Sequence, residues 1–179
     1  CGAIAMIEMS CAWAGGALAG FLGGALLGAL TRRSKGDAVA AMTLWFGFVL
    51  TVVALNWIGL TRGALGIPGI ARPSFFATPE RFFVLSLGVL ALVAWFVARM
   101  TRSPFGRVLG AVRDDEMGAA ALGKNVFKAR MIAFCASGFI AGIAGGLYAF
   151  FFRFIDPPSF SLSQLITILT IVYVGGLAS

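Results

Sequence analysis

The sequence contains no histidine, and only 7 of its 179 residues are acidic. Its three cysteines, Cys1, Cys11 and Cys135, have no paired spacing, so neither a disulfide framework nor a metal site is expected. Charged residues make up only 12% of the chain, against 60% hydrophobic residues and a mean hydropathy of +0.96. This composition excludes a soluble domain and indicates a protein of the lipid bilayer.

Uncharged runs of the length needed to cross a bilayer, about 17–25 helical residues, occur at 9–30, 38–61, 82–98 and 131–152. A fifth run begins near Leu162 and continues to Ser179, and no proline interrupts the four complete runs. The predicted fold is therefore all-α, a polytopic transmembrane helical bundle with four complete spans and one partial span. Residues 1–179 are expected to form a single transmembrane domain, as a fragment of a protein that is longer at both ends.

The net charge of +7 raises the question of a nucleic-acid partner, but Lys and Arg lie at the ends of the apolar runs. That distribution is typical of membrane proteins, so no nucleic acid is predicted. The connections on one side carry Arg32, Arg33, Lys35, Arg99, Arg102, Arg107, Arg113, Lys124, Lys128 and Arg130, whereas the other side carries Arg62, Arg72, Arg81 and Arg153. The richer side is expected to be cytoplasmic, which makes residues 99–130 a cytoplasmic loop.

Two of the spans repeat glycine at every fourth position, the first at Gly16, Gly20, Gly24 and Gly28, and the fourth at Gly138, Gly142 and Gly146. Small residues at this spacing let helix backbones approach closely, so both stripes are predicted to be helix-packing surfaces. The alternative is that one stripe allows a neighbouring helix to slide during a conformational cycle.

The four complete spans contain no Asp, Glu, Lys, Arg or His. Such groups are the usual parts of ion-coupled pathways, so their absence argues against the use of an ion gradient. The mild polar residues of the spans are expected to bond back to their own helix or to a neighbour. Asn56, near the outer end of the second span, is the candidate for a residue that lines a path.

Residues 118–125 imitate the phosphate-binding pattern G-x-x-x-x-G-K-[S/T], except that Asn125 stands where a hydroxyl must bind magnesium. The alanines in this stretch favour helix, so no nucleotide or other cofactor is expected. We predict instead a short helix over 114–122, with Asp114 as its cap and Gly123 as the left-handed residue that ends it. Docking of this helix to a soluble partner and packing on its own bundle or the lipid surface are both open.

Three groups of residues in this loop closely resemble one protein family: Ser103-Pro104-Phe105-Gly106-Arg107, Ala111 to Glu116, and Ala119-Ala120 with Leu122-Gly123. The family is that of the permease subunits of bacterial branched-chain amino-acid ABC importers, the LivM-like family. The segments 141–149, 157–160 and 175–177 downstream, and Asn56-Trp57 with the glycines near Pro68 upstream, are similar to it as well.

The resemblance implies a membrane-spanning permease subunit of an ATP-driven importer for branched-chain or other hydrophobic amino acids, located in the bacterial inner membrane. It implies as partners two ABC ATPase subunits, a second permease subunit and a periplasmic substrate-binding protein, with ATP hydrolysis on the ATPases and no enzyme activity here. The ATPase-docking residues are expected to be Arg113, Asp114, Asp115, Glu116, Ala119, Ala120 and Gly123. An ion-coupled secondary transporter or a passive solute channel is the alternative.

Overall fold

The computed structural model describes residues 2–33, 37–68, 78–155 and 162–176. Helices account for most of this part of the chain: α1 (Gly2–Leu30), α2 (Asp37–Asn56), α3 (Ile58–Thr61), α4 (Pro79–Thr101), α5 (Pro104–Asp114), α6 (Glu116–Ala121), α7 (Val126–Phe152) and α8 (Leu162–Gly176). Single 3-10 turns lie at Thr31–Arg33 and Gly63–Leu65, and two-residue strands at Ile67–Pro68 (β1) and Phe154–Ile155 (β2). The predicted all-α fold is confirmed, and the segment 157–160 lies outside the described residues.

Within the described residues, three helices are long and apolar enough to cross a membrane: Cys11–Leu30, Pro79–Thr101 and Val126–Phe152. The third predicted span is longer than its uncharged run, because Pro79 occupies the first turn and the helix continues through Arg99. Proline is tolerated there, since the first turn lacks hydrogen-bond partners for its N–H groups. With 23 residues, α4 rises about 35 Å at 1.5 Å per residue.

The second predicted span, 38–61, is divided in the structure. α2 has 20 residues, a rise of about 30 Å, and ends at Asn56. The short helix α3 follows after Trp57 and ends at Arg62, which adopts a left-handed conformation with φ of 58°. A two-stranded antiparallel pair comes next in this part of the fold, with Ile67 opposite Ile155.

The chain divides into two compact units, one formed by Cys1–Arg33 with Ala71–Phe151 and the other by Ser34–Ile70 with Phe152–Ser179. The first unit contains α1, α4, α5, α6 and α7. Its α4 and α7 meet at the rings of Phe82 and Phe151, whose centroids are 5.9 Å apart.

The glycine stripes of α1 and α7 lie against each other in antiparallel order. A Cβ atom at Gly16 would lie 3.2 Å from the carbonyl oxygen of Gly142, and one at Gly20 would meet the carbonyl oxygen of Gly138. Further along, a Cβ at Gly28 would lie 2.6 Å from the sulfur of Met131. The two backbones are therefore in direct contact at Gly16 and Gly20, where any side chain would hold them apart.

Four hydroxyl groups in the described membrane helices bond back to their own helix, as predicted. Thr51 donates to the Gly47 carbonyl at 3.0 Å, and Ser86 donates to the Phe83 carbonyl at 2.8 Å. Ser137 and Thr170 do the same with carbonyls three and four residues earlier. These hydroxyls therefore satisfy a hydrogen bond within their own helix.

Candidate functional site

The connection between α4 and α7 forms two short helices, α5 and α6, whereas the sequence predicted one. Asp114 is the last residue of α5, so its prediction as the cap of the following helix is wrong. α5 is amphipathic, because its larger apolar residues are half-buried while its charged residues are exposed: Phe105, Val108, Leu109 and Val112 against Arg107, Arg113 and Asp114. The helix therefore lies along a surface formed by its neighbours.

The cap of α6 is Asp115, one residue later than predicted. Its carboxylate accepts a hydrogen bond of 2.9 Å from the Met117 N–H, which satisfies one of the unpaired donors of the first turn. A Cβ at Gly118 would lie 2.6 Å from the same carboxylate, so the absence of a side chain there leaves room for the cap.

The end of α6 is fixed by Gly123, which has φ of 75° as predicted. The Gly123 N–H donates to the Ala120 carbonyl at 3.0 Å, and the Lys124 N–H donates to the Ala119 carbonyl at 3.1 Å. These two hydrogen bonds form a Schellman motif, which ends a helix by satisfying its last carbonyl groups.

Gly123→Val is expected to open this turn, because a β-branched residue in the left-handed region costs about 1–2 kcal/mol or more. Gly123→Asn is the matched control, since asparagine tolerates that conformation. The measurement is amide hydrogen exchange at residues 123 and 124, which should be about tenfold faster in the valine variant, with 1.4 kcal/mol per factor of ten. Equal exchange in the two variants would contradict the proposed cap.

One face of α6 is turned into the protein. Ala119 is only 3% exposed. The Glu116 carboxylate forms an ion pair of 2.9 Å with the guanidinium of Arg130, and the two side chains are 33% and 17% exposed. α6 is therefore held against the first turns of α7.

Arg130 also reaches the end of α1. Its second terminal nitrogen donates to the carbonyl oxygen of Thr31 at 3.2 Å. Thr31 is completely buried, and its hydroxyl donates to the carbonyls of Leu27 and Gly28 at 2.9 Å and 3.2 Å. We call Thr31, Glu116 and Arg130 the α1–α6–α7 junction, because the end of α1, the start of α6 and the first turns of α7 meet at these residues.

A cation–π contact lies beside the α1–α6–α7 junction. The Arg32 guanidinium carbon is 5.1 Å from the centre of the Phe127 ring, so the end of α1 meets the start of α7 a second time. Ala129, on the first turns of α7, is 3% exposed. The region is thus closely packed although it lies at the polar ends of the helices.

The opposite face of α6 is exposed and apolar. Met117 and Leu122 are 72% and 79% exposed, and Ala120 and Ala121 are exposed as well. We call these four residues the outer face of α6. A small apolar face on a capped helix has the shape and chemistry of a helix that inserts into a groove of another protein.

The predicted docking residues do not all share this face. Arg113, Asp114, Asp115, Ala120 and Gly123 are exposed, whereas Glu116 is half-buried and Ala119 is buried. The imitation of a phosphate-binding loop is formed by the second half of α6, the Schellman turn and the cap of α7. Asn125 is that cap, because its side-chain oxygen accepts a 3.0 Å hydrogen bond from the Lys128 N–H.

The sequence missed Arg130 and Thr31 as parts of this region. The two residues are 99 positions apart, and each stands at the end of an apolar run, where a cation or a threonine is unremarkable. The paired glycine stripes are the one sequence signal that relates α1 to α7.

Asn56, the candidate path residue, is exposed, and its amide nitrogen donates to the Val52 carbonyl of its own helix at 2.9 Å. A cleft of about 420 Å³ lies between α4 and α7, lined by apolar residues and Ser86, whose hydroxyl is committed to its own helix. Neither feature provides a charged group for a substrate carboxylate or amine. Within residues 2–33, 37–68, 78–155 and 162–176 no three metal-ligating side chains come together.

Comparison with known proteins identifies the family. Residues 2–179 match the family model described as branched-chain amino acid transport system, permease component. The chain is 31% identical to the high-affinity branched-chain amino acid transport system permease protein LivM of Salmonella typhimurium over 87% of its length, and equally to that of Escherichia coli K12. The chain belongs to this permease family and is a multi-pass membrane protein.

Other relatives have names that specify different cargo. The chain is 30% identical over 75% of its length to the autoinducer 2 import system permease protein LsrC of Escherichia coli O9:H4, and 35% identical over 42% to the guanosine ABC transporter permease protein NupQ of Bacillus subtilis. The chain spans 43% of the length of the LivM proteins. No solved structure matches it.

Proposed function

We propose that this chain is the membrane-spanning part of a permease subunit in an ATP-driven importer, and that the outer face of α6 docks into its ATPase. The observation that carries the proposal is a capped six-residue helix with an exposed apolar face, built into the connection between two membrane helices. A helix this short is marginal in water without a surface to support it. The family membership supports an ABC ATPase as the partner.

The mechanism follows from the covalent and packing connections of α6. The polypeptide runs from α4 through α5 and α6 into α7, and the α1–α6–α7 junction ties α6 to α1. Movement of two ATPase subunits on nucleotide binding would shift α6 and tilt the attached membrane helices, which alternates access between the two sides. We assign ATP hydrolysis to the ATPases and the passage of the substrate to the permease subunit.

The composition of the membrane spans supports ATP, and not an ion gradient, as the energy source for transport. Residues 9–30, 38–56, 82–98 and 131–152 contain no Asp, Glu, Lys, Arg or His. Proton- and ion-coupled carriers use such groups inside the membrane. The alternative of an ion-coupled transporter or passive channel predicts uptake without ATP, which vesicles prepared with and without internal ATP distinguish.

The complete transporter is proposed to contain a second permease subunit and a periplasmic substrate-binding protein, in the bacterial inner membrane. Branched-chain or other hydrophobic amino acids are the proposed cargo, because the LivM relatives cover more of the chain than NupQ does. ATP-loaded vesicles with the complete importer should take up radiolabelled leucine, with competition by isoleucine and none by guanosine. Competition by guanosine alone would overturn the amino-acid assignment.

Met117→Glu is expected to abolish ATPase docking, because it places a charge on the apolar outer face of α6. We expect the recovery of ATPase with the affinity-purified full-length permease to fall at least about tenfold, which corresponds to about 1.4 kcal/mol of binding energy. Membrane insertion should be unchanged, since Met117 is 72% exposed and supports no core.

Gly110→Ala is the control for this experiment. Gly110 lies on the exposed face of α5, and a Cβ atom there would have no heavy atom within 4 Å. Its ATPase recovery should equal that of the wild type. Normal recovery with Met117→Glu, or no ATPase recovered with the wild type, would refute the docking proposal.

A further inference from the structure

The orientation of Glu116 separates it from the outer face of α6. Its carboxylate is 2.9 Å from the Arg130 guanidinium and its side chain is two-thirds covered, while the neighbouring Met117 is 72% exposed. A charge-assisted pair with a guanidinium of the same chain fixes the direction in which the carboxylate points. Glu116 therefore faces the membrane helices and not a protein that approaches from the outer face.

Arg130 uses its two terminal nitrogens for two different elements. One nitrogen holds the carboxylate of Glu116, and the other donates to the backbone carbonyl of Thr31. The rigid, planar fork of a guanidinium makes this double contact possible, whereas the single nitrogen of a lysine side chain cannot occupy both positions. Removal of the Arg130 side chain would remove the link between α6 and α1 and weaken the contact between α6 and α7.

The two helices that Arg130 joins already form one packed pair. The backbones of Gly20 and Gly138 are in direct contact, and so are those of Gly16 and Gly142. A displacement of the α1–α6–α7 junction would therefore move α1 and α7 together. Neither helix can slide along the other at such close contacts unless the two first separate.

We propose that Glu116 and Arg130 are positioning residues: their ion pair, with the bond from Arg130 to Thr31, anchors α6 on the joined ends of α1 and α7. Glu116 contributes to docking through this anchor and makes no contact with the ATPase. The part played by the ATPase rests on the proposed function, while the anchor itself does not.

Amide hydrogen exchange in the complete permease, purified in lipid nanodiscs, tests the anchor. In Arg130→Ala the amides of residues 116–121 should exchange about tenfold faster, with 1.4 kcal/mol per factor of ten. Arg130→Lys should give an intermediate increase, because lysine keeps one of the two contacts. Lys128→Ala is the matched control: it removes a cation from the exposed side of the same first turns of α7 and should leave α6 unchanged.

The location of the faster amide exchange in Arg130→Ala distinguishes a positioning role from a general loss of stability. Faster exchange confined to α6 and its flanking turns supports the anchor. Unchanged α6 exchange in Arg130→Ala, or a loss of protection spread along the whole of α1 and α7, would overturn it.

A charge exchange tests whether Glu116 contacts the ATPase. Glu116→Arg and Arg130→Glu should each lower ATPase recovery about tenfold, because each leaves two like charges at the anchor. The double variant restores an opposite pair but not the bond to the Thr31 carbonyl, so it should recover part of the docking. If Glu116 contacted the ATPase directly, the double variant would stay as defective as Glu116→Arg, which would refute the proposal. Failure of the wild type to bind any ATPase would refute the proposed function, while the amide hydrogen exchange of Arg130→Ala would still decide the anchor.

Discussion

Gly20→Ala is expected to destabilise the pair of helices α1 and α7 by about 1–3 kcal/mol, although it adds a single methyl group. The new Cβ atom would meet the carbonyl oxygen of Gly138 and lie 3.0 Å from the amide nitrogen of Gly142. Both are backbone atoms, so no side-chain rotation relieves the overlap. The helices must move apart, and the close contacts along the rest of the stripe are weakened with them.

Gly23→Ala is the matched control, since it makes the same chemical change three residues along the same helix. A Cβ atom at Gly23 would have no heavy atom within 4 Å, and alanine is a better helix former than glycine. Thermal unfolding of the detergent-purified permease measures the effect: Gly20→Ala should unfold several degrees below Gly23→Ala. Equal unfolding temperatures would contradict the direct backbone contact.

The partner position gives an internal check on the same contact. A Cβ at Gly138 would meet the carbonyl oxygen of Gly20 and lie 3.2 Å from the Cα of Gly24. Gly138→Ala should therefore be destabilising alone. The double variant should lose less than the sum of the two single losses, because the helices need to separate only once.

The glycine stripes and the apolar runs show what the sequence can specify. Hydropathy located the membrane helices because an uncharged run of sufficient length has few alternatives to a spanning helix. Helix ends were less accurate: α4 extends to Pro79 and Thr101 because charged residues and a first-turn proline are compatible with helix outside the hydrocarbon core. The charge of Arg81 and Arg99 limited the predicted span, but it does not limit the helix.

The region between α4 and α7 shows where local sequence rules fail by small amounts. Asp114 and Asp115 are adjacent and chemically equivalent, so the capping preference could not decide between them. The amphipathic α5 was missed because its apolar spacing was interpreted only as family resemblance. The left-handed Gly123 was predicted correctly, since few other residues end a helix so readily.

The α1–α6–α7 junction was beyond such rules altogether. Arg130 and Thr31 are 99 residues apart, and their contact depends on how the glycine stripes align two helices in three dimensions. The positive-inside rule explained Arg130 as a topological signal, which hid its pairing with Glu116. The Arg130 side chain serves both as a topological signal and as the partner of Glu116.

Gly106→Ala is expected to displace α5 and the docking helix that follows it. α5 turns back against the end of α4, and a Cβ atom at Gly106 would lie 2.5 Å from the carbonyl carbon of Thr101 and 2.8 Å from its Cα. Real Cβ atoms do not approach backbone atoms so closely, and a backbone cannot yield as a flexible side chain can. The turn between α4 and α5 must open, at a cost of about 1–3 kcal/mol or more.

Gly110→Ala distinguishes this effect from a general response of α5 to alanine. The two glycines lie on the same helix, but Gly106 is half-buried and Gly110 is exposed with open space around it. In a solvated helix the change to alanine is itself stabilising by about 0.5–1 kcal/mol, so Gly110→Ala should slow amide exchange in α5. Gly106→Ala should accelerate amide exchange across 104–121 and lower ATPase recovery about tenfold, while the α1–α7 contacts stay protected.

If both variants recovered ATPase equally, the position of α6 would not depend on how α5 packs against α4. The α1–α6–α7 junction alone would then position α6 for docking.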